Sequence, residues 1–168
     1  MRQRIFDMNL PVDAHAELEV QKTAVASYYA KKFSKMSGHE LKYITVYLSS
    51  DYETVFIEEF VDPKNFQKYI NNKGEIKANA HDPKEQEVVQ AFVHFSLHKS
   101  GGQLMVSDVQ GWFPLLCDPE ICTLNVDSGL GTVGNHNKTA INNFSSEHTC
   151  SQVCRKLGLT VLPAAPAP

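Results

Sequence analysis

The sequence predicts an α+β domain, and three observations carry that reading. Two long stretches space their apolar residues at helical intervals. Two short runs rich in β-branched and aromatic residues stand close enough to pair as a hairpin. The composition is that of a globular chain: 42% hydrophobic and 21% charged over 168 residues. That length suffices for one domain with a sizeable core, or for two small lobes sharing a cleft.

The first helical stretch runs from Asp13 to Met36. Leu18, Val25, Tyr28 and Tyr29 recur near helical spacing, Asp13 can cap the start, and Gly38 follows the end. LKYITVYL and ETVFIEEF follow as strands, with SSDY between them as the hairpin turn. Asp62-Pro63 stops the second run, and NFQKYINNKGEI reads as a short helical turn followed by an exposed loop. Pro83 opens the second helix, whose stripe is Val88, Val89, Phe92 and Phe95 and whose end is Ser100-Gly101-Gly102. QLMVSDVQG is a strand running into a glycine, and WFPLLCDPEICTLNV continues irregularly. A last helix, KTAINNFSSEHTCSQVCRKLGL, ends at Gly158, and VLPAAPAP has the composition of a disordered tail.

Charge and hydropathy exclude some partners. The net charge is -3, so a nucleic-acid partner is not expected. No apolar run is long enough to span a membrane, and the apolar part of MRQRIFDMNLP is too short for a secretory signal. The expectation is an intracellular, cytoplasmic chain with reduced thiols and no membrane partner. Its four cysteines are then better read as metal ligands or core residues than as disulfides. Cys117 and Cys122 read as small buried hydrophobes.

His148, Cys150 and Cys154 have the spacing H-x-C-x-x-x-C on a predicted helix, where positions four apart share a face. A structural zinc ion takes four ligands, and His94 and His98 on the preceding helix are both candidates for the fourth. Four protein ligands leave no open position for water, which argues against a zinc hydrolase.

Asp108 and Gln110 stand at a strand end in D-V-Q-G, two residues apart and so on one face. One carboxylate and one amide can address a hydroxyl proton and a hard cation together, and Asp118 offers a further oxygen. Taken alone, the same letters read as a turn that needs Asp and Gly. Gly129-x-Gly131-x-x-Gly134 matches a dinucleotide fingerprint by letter, but no βαβ unit encloses it.

Taken together, HFSLHKSGGQLMVSDVQG, the CDP of CDPEICT, GTVGN and FSSEHTCSQVCRKLGL resemble the alpha-kinase family of atypical protein serine/threonine kinases. FIEEFVDPKNFQKYINNKGE resembles the family's hinge, and the resemblance extends from about Tyr52 to Leu159. It implies an atypical protein-kinase-like, two-lobed fold with an incomplete N-lobe and a zinc-stabilised C-lobe. Residues 1–60 would be the N-lobe remnant and hinge, 61–160 the C-lobe, and 161–168 a disordered tail.

The resemblance implies ATP and Mg²⁺ as cofactors, a structural Zn²⁺, and transfer of the γ-phosphate to Ser or Thr of a protein substrate. Asp108 would be the catalytic acid/base residue, and Gln110 and Asp118 would hold Mg²⁺. Glu58 would contact adenine, and Asn135 would lie in a glycine-rich loop near the peptide, where Asn137 replaces the family's last glycine. His94 rather than His98 would join His148, Cys150 and Cys154 on zinc. The family's ATP-pairing lysine lies well before the first helix. The chain is therefore expected to lack it, as a fragment of a longer protein or a naturally shortened relative, with Lys31 and Lys32 as a solvated face. The alternative is a non-catalytic, zinc-stabilised kinase remnant that binds proteins.

Overall fold

A computed structural model describes residues 12–49, 55–60, 62–78, 82–125, 130 and 136–160. Helix α1 spans Val12–Ser37. Strands β1 (Lys42–Tyr43), β2 (Val46–Ser49) and β3 (Val55–Glu58) follow. A 3-10 turn at Pro63–Asn65 leads to β4 (Gln67–Lys68) and then to α2 (Pro83–Lys99). Strands β5 (Leu104–Ser107), β6 (Gln110–Trp112), β7 (Leu115–Cys117) and β8 (Glu120–Thr123) come next. Helices α3 (Asn137–Glu147) and α4 (Gln152–Lys156) close the described chain. Among the described residues no helix is long and apolar enough to cross a membrane.

Helix α1 has the expected extent, but its buried face differs from the expected stripe, and Asp13 lies inside it rather than at its cap. Ala16, Thr23, Ala26, Ala30, Phe33 and Ser37 are buried, at spacings of three, four and seven. Leu18, Val25 and Tyr29 are only half-buried, and Tyr28 is exposed. The small side chains let α1 lie close to its neighbours, so bulk hydrophobicity misidentifies the inward face. Phe33 is the large anchor, meeting Phe92 and Phe95 of α2 edge-on with ring centroids 5.7 Å away in each case. Burying such a ring stabilises the fold by about 1.5–3 kcal/mol. Lys31 and Lys32 are exposed, as expected of a solvated face.

Helix α2 is the centre of the core. Asp82 caps it by accepting from the Lys84 N–H at 2.8 Å, and Pro83 fits the first turn, where no N–H is needed. The expected stripe of Val88, Val89, Phe92 and Phe95 is buried, and so are Ala91, Val93, Ser96 and Leu97. Burial on several sides reflects packing against α1, β5 and α4 together.

Among the described residues the strands form three small sheets. β2 and β3 make an antiparallel hairpin, with Val46 opposite Glu58 and Ser49 opposite Val55, but only the second half of LKYITVYL takes part, because its first half is β1 of another sheet. A four-stranded sheet has the order β1-β7-β6-β4, and β5 pairs antiparallel with β8.

Four expectations need correction here. QLMVSDVQG is not one strand, because β5 ends at Ser107 and Asp108 takes a φ of +50° before β6 begins. WFPLLCDPEICTLNV is not irregular, because it supplies the β6–β7 hairpin and β8. NFQKYINNKGEI is not an exposed loop, because Tyr69 and Ile70 are fully buried. Gly74, at φ +77°, seats this segment against α3, where an added Cβ would fall 2.0 Å from the Ala140 carbonyl oxygen. The last helix is two helices, because α3 stops at His148 and α4 starts again after a Ser151 cap. The tail at 161–168 lies outside the described residues.

Candidate functional site

Two clusters of chemistry-bearing side chains stand out. The first gathers His94 from α2, His148 and Cys150 from the link between α3 and α4, and Cys154 from α4. One ligand atom from each lies within 4.8 Å of all the others. Breaking the helix at His148 is what permits this. Cys150 stands in extended chain before Ser151, so the two sulfurs do not share a helical face as the spacing suggested. Ser151 accepts from the Val153 N–H at 3.1 Å and restarts the helix in a direction that carries Cys154 back to the site.

The two imidazoles are oriented from outside. His94 Nε2 lies 2.8 Å from the Thr160 carbonyl oxygen, which can only accept, so Nε2 carries the proton and Nδ1 is a bare lone pair. That Nδ1 lies 3.2 Å from His148 Nε2 and 3.7 Å from Cys150 Sγ. His148 Nδ1 faces Gln90 Oε1 at 3.2 Å, and Cys154 Sγ lies 3.6 Å from His148 Nε2. Burial lowers the pKa of both rings, that of His148 to about 4 with His94 adding to the shift. Two neutral rings and two thiols converge with their outer N–H groups engaged, the donor set that suits a tetrahedral ion. His98, the other histidine considered from the sequence, instead meets the Thr160 hydroxyl at 3.1 Å and lies outside the cluster.

The second cluster is acidic. Asp108 and Asp118 both have left-handed backbone, with φ of +50° and +46°. Side chains other than glycine seldom adopt this conformation, so two carboxylates held in it point to a local requirement. Gln110 ties them together: its amide nitrogen lies 3.4 Å from Asp108 Oδ2, 3.4 Å from Asp118 Oδ2 and 3.2 Å from the Asp118 carbonyl oxygen. Asp108 and Gln110 therefore meet across a turn, not as alternate residues of one strand. Gly111, at φ +143°, is needed because an added Cβ would fall 2.4 Å from the Leu115 carbonyl oxygen.

Sequence reasoning missed Lys68, on edge strand β4, whose Nζ lies 2.7 Å from Asp108 Oδ1. Its register opposite Gln110 brings it there, and only strand pairing reveals that. Burial raises the pKa of Asp108, Lys68 opposes the rise, and Asp118 and Glu120 add to it. Cys117 is half-buried rather than a core residue and lies opposite Gln110, whereas Cys122 is fully buried as expected. Burial, with Asp118, Glu58 and Asp108 adding to it, lifts the Cys117 thiol to about 11. Glu58 is exposed at the end of β3, near enough to act on Cys117 electrostatically. Asn135 and the glycines at 129, 131 and 134 lie outside the described residues.

Lys22 was also missed. It is 1% exposed, deep in the inward face of α1, with Nζ 2.8 Å from Glu19 and 2.7 Å from Glu120. Glu120 follows Asp118 by two residues, so this buried ion pair ties α1 to the strand leaving the acidic cluster.

Comparison with known proteins supplies a family. The model of the alpha-kinase family matches residues 3–154. Alpha-protein kinase 1 of Dictyostelium discoideum is 37% identical over 111 residues, covering 66% of this chain and 8% of that protein. Eukaryotic elongation factor 2 kinase of Mus musculus is 33% identical over 111 residues, covering 66% of this chain and 14% of that protein. Among solved structures, the alpha-kinase domain of myosin-II heavy chain kinase A in complex with AMP-PNP gives a TM-score of 0.74 at 27% identity. That match covers 95% of this chain and 62% of the solved one. The chain thus spans a small part of its curated relatives and less than two thirds of the solved domain.

Proposed function

This chain belongs to the alpha-kinase family, and from that premise we propose that it acts in ATP-dependent transfer of phosphate to Ser or Thr of a protein substrate. The observation that carries the reading is the acidic cluster. Asp108, Gln110 and Asp118 come together within 3.4 Å, with Lys68 2.7 Å from the first. In this proposal residues 1–60 serve as N-lobe remnant and hinge and 61–160 as C-lobe. Glu58 contacts adenine, and Asn135 lies near the peptide.

Phosphate transfer is chiefly a matter of positioning and charge stabilisation. Asp108 accepts the proton of the attacking hydroxyl. Its burial makes it a better base than an exposed carboxylate, and Lys68 keeps it ionised. Asp118 and the amide oxygen of Gln110, turned inward by rotation of the carboxamide, offer hard oxygens to Mg²⁺. The ion supplies neutralisation of phosphate charge when bound.

In the same reading His94, His148, Cys150 and Cys154 hold a structural Zn²⁺. The ion fastens α4 and the chain after it to α2. Reduced thiols as ligands favour a cytoplasmic location.

The test is transfer of labelled γ-phosphate with Mg²⁺ to a threonine-containing basic peptide, run beside Asp108→Ala. Transfer by the chain, lost in the variant by about 10²–10⁴-fold, is the expected result. Transfer that survives the substitution would remove Asp108 from its role. No transfer by either protein, with zinc bound in both, would replace this reading with that of a protein-binding kinase remnant.

A further inference from the structure

The four-stranded sheet turns one face to the core and leaves the other open. Tyr43, Leu116 and Gly111 are buried at matching register positions, whereas Lys42 and Trp112 beside them are exposed and Leu115 is half-buried. Alternation along each strand puts this second set on one face. Gln110 belongs to it, two residues from Trp112 with the β6–β7 register unbroken between them. Its carboxamide is engaged by Asp108 and Asp118. Lys68 belongs to the same face as the register partner of Gln110. Two residues further along this pair of strands, Phe66 falls opposite Trp112, on extended backbone with φ -69° and ψ 130°. The open face thus carries two aromatic side chains beside the Lys68–Asp108 ion pair.

Phe66 is 43% exposed and Trp112 47%. A single exposed ring is ordinary, but two at one register position make a patch. Its place on the sheet separates it from the nucleotide. Gln110 has Cys117 of β7 on one side and Lys68 of β4 on the other. Glu58, the proposed adenine contact, lies near enough to act on Cys117, which puts adenine on the β7 side. Phe66 lies toward the edge strand β4, on the opposite side.

We propose that Phe66 and Trp112 form an apolar platform for the protein substrate, taking an aliphatic side chain two residues from the phosphorylated Ser or Thr. This inference rests on the reading of Asp108 as the group that meets the acceptor hydroxyl. The spacing follows from strand geometry. The aromatic pair stands two residues from Gln110 and Lys68, about 7 Å along the strands. An extended substrate segment advances by the same amount in two residues and turns both side chains to one side. With its hydroxyl at Asp108, the side chain two positions away comes down on the two rings. An aliphatic group there removes apolar surface of both partners from water, which a small polar one does not.

The experiment titrates the full chain with threonine-containing basic peptides that carry Leu or Ser two residues before, or two residues after, the threonine. Trp112 is the single tryptophan of the chain, so its fluorescence reports docking without turnover. One Leu peptide is expected to bind about 10-fold more tightly than its Ser counterpart and to move the emission to shorter wavelength. In transfer assays the same preference should appear in the KM for peptide, with kcat and the KM for ATP unchanged within about twofold. Phe66→Ala and Trp112→Ala, followed by anisotropy of a labelled peptide, should lose most of the preference, and Trp112→Phe should keep it. Equal binding of Leu and Ser peptides at both positions, with transfer intact, would overturn the platform alone. So would alanine variants that keep the preference, or that raise the KM for ATP in place of the KM for peptide. Docking with the expected preference but without transfer would leave the platform standing and remove the kinase reading.

Discussion

The two clusters solve opposite electrostatic problems. At the His/Cys site, two imidazoles and two thiols converge on one point, and both rings are hydrogen-bonded on their outer side. That donor set suits a cation. At the acidic site, Asp108 and Asp118 share the amide of Gln110, sit on left-handed backbone, and have one partly exposed lysine for compensation. That arrangement sets like charges side by side, and Asp118 adds to the rise that burial causes in the Asp108 pKa. The difference lies in burial and charge more than in residue type.

Loss of the metal should have the largest effect on folding. Binding energy at such sites is folding energy, and only the small helix α4 and its link hold the two sulfurs. Stripping zinc with a chelator is expected to lower stability by several kcal/mol, or a melting temperature by about 10 °C. Calorimetry with and without the chelator reads it. Asp108→Ala should leave that melting temperature within a few degrees while abolishing transfer. If instead the chelator spares stability and Asp108→Ala unfolds the chain, the comparison is inverted and must be abandoned.

Lys22→Met comes next. It leaves Glu19 and Glu120 facing each other without their shared cation, an expected cost of about 3–5 kcal/mol in a denaturant titration. Because Glu120 lies beside Asp118, transfer should fall with it, whereas zinc stoichiometry should hold. Gly74→Ala is expected to cost about 2 kcal/mol or more, since neither the positive φ nor the Ala140 carbonyl admits a methyl group. Normal stability in that variant would show that the joint with α3 can shift.

The smallest effect concerns pH. Burial raises the folded-state pKa of Asp108 above its ordinary value of 3.8, so the ionised group opposes folding. The cost is absent below that value, grows as pH rises from it to the shifted one, and persists at neutrality. Asp108→Asn should therefore be slightly more stable than the parent at pH 7, by about 2 °C in melting temperature, with the gap closing toward pH 4. A gap that widens on acidification would show that Lys68 outweighs burial.

Much of this was legible in the sequence, for local reasons. Pro83 after Asp82, the apolar stripe of α2, the β2–β3 runs and the glycines after α1, α2 and α4 each act over a few residues. A linear reading finds them. H-x-C-x-x-x-C announced three residues of the His/Cys cluster, although the link that brings them together is a break in the helix rather than its regular face.

What tertiary structure alone decided concerns groups that meet through distant pairing. The inward face of α1 is small rather than greasy, because its neighbours lie close. Lys68 finds Asp108 through the β4–β6 register, Lys22 finds Glu120 across 98 residues, and Gln90 and Thr160 each meet one imidazole of the His/Cys cluster. Sequence by itself determined which residues could do chemistry. Which of them face one another, and with how much water removed, depended on packing, because burial and register arise only when distant segments close on one core.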